Sequence, residues 1–235
     1  MSASAAERLA PLRGSLTAEE PGARGLERVA RNPECTRLRA LTIAGITPET
    51  AATKVYGEPA REGQSPFALT IGNRFEQALT ENGASSMLDL LRTGGLLSID
   101  ECKVVVVPDL APATTAGAMA RRRAETVRLF RLKLRGDPMA PNVIIKPRVP
   151  VRLLGVDHDT EPDAIVASDR DRFYRPIEIK SYADRAGKTS AADVRSACRQ
   201  AAVGVVALRH VAVRLGVADS ESLVPPEGNL VLTAR

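Results

Sequence analysis

The sequence predicts an α/β fold, with a mixed central sheet, an antiparallel hairpin within it and flanking helices. Short apolar runs bounded by Pro, Gly and Asp alternate with longer segments of helical periodicity. Two of the apolar runs, residues 161–168 and 174–182, are separated by the turn-like DRDRF, which is typical of a hairpin. A hydrophobic content of 44% in 235 residues is sufficient for one packed core.

The first half of the chain predicts an N-terminal arm and then helices. Residues 1–28 are small, charged and interrupted by Pro and Gly, and we expect them to form a mobile arm. Residues 29–235 form one predicted domain. It begins with helices on both sides of Pro33, and residues 67–95 predict a helix with a break near Asn82-Gly83.

The second half of the chain predicts strands between two long helices. CKVVVVPDL predicts a short buried strand that ends at Pro108, and residues 116–136 predict a helix. NVIIKPRVPVRLLG contains two prolines and predicts an edge or bulged strand. After the hairpin, residues 189–216 predict a long buried helix with Thr189 or Ser190 as its N-cap. GNLVLTAR predicts a last strand, and the abrupt end there is what we expect of part of a longer chain.

The composition excludes several classes of protein. The net charge is +5, but 27 of the 33 basic residues are Arg, as a GC-rich genome would encode, so the charge is weak evidence for nucleic-acid binding. The three cysteines are far apart, which excludes a Cys-based zinc or iron–sulfur site and indicates a reducing compartment. No apolar run approaches the length of a membrane span, so we expect a cytoplasmic protein without a membrane partner.

The hairpin places charged residues together on one face. With a turn at residues 169–172, Asp163 lies opposite Glu178, and Lys180 is the diagonal neighbour of Asp163. The other face carries apolar side chains and should pack under a helix; these are Ala164, Val166, Ile177 and Ile179.

Two opposed carboxylates repel each other unless a cation lies between them. Mg²⁺ or Mn²⁺ is suitable, because these ions take carboxylate oxygens, waters and phosphate oxygens as ligands. Lys180 beside the metal could orient or help deprotonate an attacking water. The alternative is that Glu178 and Lys180 form an ion pair on the protein surface, which contributes little to stability.

The stretch EPDAIVASDRDRFYRPIEIK resembles the signature of the PD-(D/E)xK nuclease superfamily. Pro162-Asp163 is followed, after fourteen residues, by Glu178-Ile179-Lys180. The sequence is similar to the RecB-like branch in two further places, Glu76 in GNRFEQAL and Gln200 in CRQAAVG. The branch usually has a Tyr four residues after this Gln, where this chain has Gly204.

The resemblance implies a restriction-endonuclease-like core and a catalytic role for each matched residue. It implies that Asp163, Glu178 and the carbonyl of Ile179 are ligands of Mg²⁺ or Mn²⁺. It implies that Lys180 is the catalytic lysine and that Glu76 supports the metal or its water shell, with Gln200 completing the site. For Glu76 alone, a solvated helix residue is the alternative; the polar stripe at Gln200 could instead accommodate close packing.

The helix over residues 119–135 is a candidate DNA-binding surface. It carries seven basic residues against Glu125 alone, and its Arg121, Arg122, Arg123 and Arg128 are candidates for contacts with DNA phosphates. A solvated face is the alternative.

The sequence therefore predicts a metal-dependent DNA nuclease, either an exonuclease or an endonuclease. We expect a role in defence against foreign DNA or in DNA repair, together with other subunits of a larger nuclease or defence complex. The alternative is a non-cleaving nucleic-acid-binding or scaffold subunit that retains the fold. A small-molecule enzyme is disfavoured, because no Gly-rich phosphate loop or nucleophile elbow is present.

Overall fold

The computed structural model describes residues 4–55, 57, 66–110, 116–153, 155–184 and 189–234. Its α-helices are α1 (Ala5–Leu9), α2 (Gly22–Arg31), α3 (Thr36–Ala44), α4 (Pro48–Thr50), α5 (Pro66–Thr93), α6 (Val107–Leu110), α7 (Ala116–Leu134), α8 (Ala191–Arg214) and α9 (Ser220–Leu223). Its strands are β1 (Val104–Val106), β2 (Val143–Ile145), β3 (Val149–Leu153), β4 (Val156–Thr160), β5 (Ala164–Ala167), β6 (Tyr174–Asp184) and β7 (Asn229–Ala234).

In the described part of the chain, five strands form a mixed sheet with the order β1-β2-β5-β6-β7. The pairs β1–β2 and β6–β7 are parallel, whereas β2–β5 and β5–β6 are antiparallel. Strands β3 and β4 pair with each other as a separate antiparallel ribbon. The sequence-based prediction of an α/β protein with a mixed sheet and a central hairpin is therefore confirmed.

One face of the sheet packs against α5, as the apolar pattern of the hairpin predicted. Ala164, Val166 and Ile177 are fully buried there, in one cluster with Met87 and Leu91 of α5. The predicted break in this helix is also present, because Asn82, Gly83 and Ala84 adopt left-handed backbone conformations. Leu79 from before the break and Leu88 from after it are buried in the same cluster, so the break lets both halves of α5 cover the sheet.

The opposite face of the sheet packs against α7, α8 and the β3–β4 ribbon. Ile165 and Tyr174 of the hairpin lie in one cluster with Phe130 of α7 and Leu208 of α8. The Phe130 and Tyr174 rings are stacked, with centroids 4.1 Å apart. Helix α8 is extensively buried and starts after Ser190 as its N-cap, both as predicted.

Residues 1–28 were predicted to form a mobile arm, and in the structure part of this segment is helical and packs against the rest of the chain. Residues 22–31 form α2, so the boundary at residue 28 falls inside a helix. Leu26 is buried in the same cluster as α8, and the buried Glu27 accepts a hydrogen bond from Arg199 of α8 at 3.2 Å. Glu20 forms an ion pair with the largely buried Arg148. The buried apolar residues of α2, Leu26 and Val29, are too few for the composition of this segment to indicate a packed helix, but their helical spacing places them on one face.

Three strand predictions also need correction. NVIIKPRVPVRLLG forms two strands in different sheets, because Lys146 adopts a left-handed backbone (φ 50°) and Pro147 follows it. Residues 156–160, for which no strand was predicted, form β4. Strand β1 is half-buried at the edge of the sheet instead of fully buried. Among the helices of the described residues, none combines the length and apolar composition that crossing a membrane requires.

Candidate active site

The hairpin register predicted from the sequence is confirmed. Ala164 pairs with Ile177 across β5 and β6, so the next pair outward is Asp163 and Glu178. The amide of Ser168 donates to the carbonyl of Phe173 at 3.2 Å and closes the turn. Asp163 therefore immediately precedes β5 and lies opposite the middle of the longer strand β6.

Glu178 and Lys180 form an ion pair, but this pair is not on the protein surface. Lys180 Nζ lies 2.8 Å from Glu178 Oε2, and the side chains are only 18% and 4% exposed, respectively. Burial raises the pKa of Glu178 to about 6; Lys180 opposes this increase and the nearby Asp163 adds to it. The alternative of a solvated surface pair is therefore wrong, because the carboxylate is withdrawn from water.

The carboxylate of Asp163 is held by the backbone of the neighbouring strand. Its Oδ2 accepts a hydrogen bond from the amide of Ile179 at 2.6 Å. Burial raises the pKa of Asp163, an effect that this hydrogen bond and Lys180 oppose and that the charge of Glu76 increases. The predicted residues Asp163, Glu178, Ile179 and Lys180 are thus close together, on a central strand pair.

Glu76 approaches the same cluster from α5 and brings in a residue that the sequence did not indicate. Its Oε1 lies 3.0 Å from Nζ of Lys146, which follows directly after β2. The amide of Lys146 donates to the carbonyl of Asp163 at 2.9 Å, and its own carbonyl accepts from Arg122 at 3.2 Å. The sequence indicates only weakly that Lys146 belongs to the site. It shows a Lys–Pro pair after an apolar strand, but it does not show that β2 and β5 are neighbours.

Gln200 lies buried in α8, one turn before the point where this helix touches the hairpin. No hydrogen bond or ion pair among the described residues joins it to Asp163 or Glu178. At Gly204, an added Cβ would lie 2.8 Å from Cβ of Pro176 and 4.0 Å from Cβ of Pro162. The helix therefore packs directly on the two prolines beside the charged residues, and a larger side chain at position 204 has no room.

The predicted DNA-binding arginines of α7 are mostly engaged with carboxylates. Arg122 pairs with Glu161 at 3.3 Å, Arg123 with Asp159 at 3.6 Å, and Arg128 with Glu125 at 2.5 Å. Arg121 is exposed. These pairs reduce the positive charge that the helix presents, compared with the excess counted along its sequence.

The side chains present fit a small divalent cation with few protein ligands. Within the described ranges, no three side chains among His, Cys, Asp and Glu are grouped so that they could hold a metal ion together. A cation at Asp163 and Glu178 would instead take two carboxylates, a backbone oxygen and waters, a donor set that Mg²⁺ accepts. It would also relieve the repulsion and desolvation that raise the pKa values of both carboxyls.

Comparison of the chain with protein-family models, with curated proteins and with solved structures found no match. What the structure shows is an α/β protein with a mixed sheet and flanking helices, whose central hairpin carries the buried Glu178 together with the half-buried Asp163 and Lys180.

Proposed function

We propose that this protein is a Mg²⁺- or Mn²⁺-dependent phosphodiesterase that cleaves DNA. The observation that carries the proposal is the opposed pair of carboxylates, the half-buried Asp163 and the buried Glu178, with Lys180 in contact with Glu178. Two desolvated carboxylates with raised pKa values are costly for folding alone, and perturbed pKa values concentrate at functional sites. The resemblance to PD-(D/E)xK nucleases supports the same assignment.

The proposal gives each residue of the site a role. The carboxylates of Asp163 and Glu178 and the backbone of Ile179 would hold the metal, which when bound stabilises negative charge developing on the phosphate. Lys180 Nζ would hold the attacking water and assist its deprotonation. Glu76, paired with Lys146, would fix the backbone around Asp163 and accept hydrogen bonds from waters. Arg121 on α7 would contact the DNA backbone.

The test compares three variants at two positions. Asp163→Asn retains an oxygen that can accept the Ile179 amide, so metal-free stability should stay unchanged or rise while cleavage is lost and Mn²⁺ binding weakens. Asp163→Ala strands that amide and should also lose about 1–3 kcal/mol of stability. Asp89→Asn, at an exposed carboxylate of α5, is the control and should cleave as wild type does.

The measurements are cleavage of plasmid, linear duplex and single-stranded DNA in Mn²⁺ or EDTA, and melting in both conditions. The three DNA forms also separate an endonuclease from an exonuclease. Cleavage that persists in EDTA, or in Asp163→Asn protein, would contradict the proposal. A marked drop in the EDTA melting temperature of Asp163→Asn would assign this carboxylate to architecture instead.

One observation favours a second candidate function, a non-cleaving DNA-binding or scaffold subunit. Lys180 forms an ion pair with Glu178, so in the described structure the negative charge of Glu178 is compensated without a metal. DNA binding without cleavage in either metal, together with no effect of Mn²⁺ on the melting temperature, would support this candidate. Both proposals are compatible with a protein that acts as one subunit of a larger complex, in defence against foreign DNA or in DNA repair.

A further inference from the structure

A groove between α7, α8 and the β3–β4 ribbon lies apart from the charged hairpin. Its volume is about 610 Å³, within the range of small-molecule sites. Its apolar walls are Val127 of α7, Val151 of β3 and Leu215 at the end of α8. None of the proposed catalytic residues lines this groove, so its chemistry does not depend on cleavage at the hairpin.

The charges in the groove are mainly arginines, and two of their side chains have no partner among the described residues. Arg131 of α7 and Arg214 of α8 both line the groove, and the guanidinium group of neither makes a hydrogen bond or an ion pair with another described residue. Arg123 and Arg128 also line it, but both pair with carboxylates. The carboxylate in the lining, Asp157, has Arg152 within 3.5 Å. The groove therefore holds an excess of positive charge.

A second polar group stands beside Arg214. His210 lies one helical turn earlier on α8 and faces the same groove. Burial and the nearby charge of Arg214 lower the pKa of His210, so its imidazole is neutral at pH 7 and can donate or accept a hydrogen bond. The groove thus combines two guanidinium groups, one neutral imidazole and an apolar wall.

We propose that this groove binds a nucleotide unit, with its phosphate on Arg131 and Arg214 and its ring system against the apolar wall. Guanidinium groups match phosphate oxygens in a bidentate geometry, and unpaired ones gain most from an anion. The nucleotide can come from two sources, a free nucleotide or one unit of a DNA strand. Both present the same phosphate and ring chemistry to the groove.

The experiment measures binding of ADP and of a short oligothymidylate by calorimetry in EDTA, which keeps the DNA intact. Arg131→Gln and Arg214→Gln should each weaken binding of the probe about tenfold or more. Arg135→Gln is the matched control, because this exposed residue follows α7 and does not line the groove. The three substituted side chains are exposed and have no partner in the described part of the chain, so all three variants should melt like wild type.

The pattern of loss identifies the source of the nucleotide. Loss for ADP alone indicates a free nucleotide, and loss for oligothymidylate, with or without ADP, indicates a unit of a DNA strand. The same loss should occur in Asp163→Asn protein, which separates the groove from the proposed cleavage site. The proposal is overturned if neither probe binds wild type, if both groove variants bind as wild type does, or if Arg135→Gln weakens binding equally.

Discussion

At the scale of single residues, Glu178 is the charged residue of the hairpin whose environment changes its pKa most clearly. It is almost fully buried, it contacts Lys180, and its pKa of about 6 is above the ordinary value of 4.5. Between these two values the folded protein keeps a proton that the unfolded chain has released. Folding stability should therefore fall as the pH rises through this window.

We predict that metal-free wild type loses stability from pH 4.5 to about pH 6, by on the order of 1–2 kcal/mol from Glu178. Glu178→Gln should remove this part of the pH dependence, because the amide does not titrate. The measurement is chemical denaturation of both proteins in EDTA at closely spaced pH values. Equal pH slopes in the two proteins would contradict the raised pKa.

Mn²⁺ should reverse the trend in wild type. Metal binding requires the ionised carboxylates, so Mn²⁺ should stabilise the protein more at pH 7 than at pH 5. Asp89→Asn, with its carboxylate exposed on α5, should retain both the slope and the response to Mn²⁺.

The sequence predicted the hairpin part of the site because both strands and their turn are contiguous in the chain. The register followed from the turn, and alternation then placed Asp163 and Glu178 on one face. Lys146 was not predicted, because its position depends on which strand lies next to β5, a long-range choice that local patterns do not encode.

At the scale of elements, α8 packs closely against the hairpin because Gly204 has no side chain to separate them. A Cβ at Gly204 would lie 2.8 Å from Cβ and 3.2 Å from Cγ of Pro176. This contact explains why position 204 is Gly, because a side chain there would overlap with Pro176.

We predict that Gly204→Ala destabilises the protein by about 1–3 kcal/mol, because the added methyl group overpacks the contact with Pro176. Helix propensity alone would give the opposite sign, a gain of about 1 kcal/mol. Ala202→Gly, at an exposed position of the same helix, measures that propensity term. Thermal melting of both variants decides the matter, and a stabilised Gly204→Ala protein would show that α8 is free to shift.

The elements themselves were predictable where their signals are local. The break at Asn82-Gly83 and the start of α8 after Ser190 follow from residues with strong backbone preferences. Strand β1 ends at Val106, two residues before the predicted stop at Pro108, and α6 follows it directly. The sequence did not predict that β2 and β3 are separate strands. An extended segment that contains prolines has the same sequence pattern whether it remains in one sheet or continues into another.

At the scale of the whole molecule, the N-terminal segment is part of the folded structure. Helix α2 packs on α8 through Leu26, and Glu20 and Glu27 pair with arginines of the domain. Composition suggested an arm, because charged and small residues dominate there. The few buried contacts that decide the outcome are made with residues more than a hundred positions away.

We predict that Leu26→Ala costs about 2–5 kcal/mol of unfolding free energy, as expected for a buried leucine. Leu12→Ala should change stability by less than about 0.5 kcal/mol, because Leu12 is 57% exposed. Urea denaturation of the two variants is the measurement. If both behave as wild type does, residues 1–28 are an arm in solution after all.

Helix α8 also sets the distance between the charged hairpin and the groove. Gly204 packs on Pro176 of the hairpin, and Arg214 lines the groove between α7, α8 and the β3–β4 ribbon, ten residues further along the same continuous helix. At 1.5 Å per residue these points are about 15 Å apart, roughly the rise of four nucleotides along one DNA strand. Under the two proposals made above, an oligonucleotide shorter than this would reach the hairpin or the groove but not both, because one continuous helix keeps them this far apart.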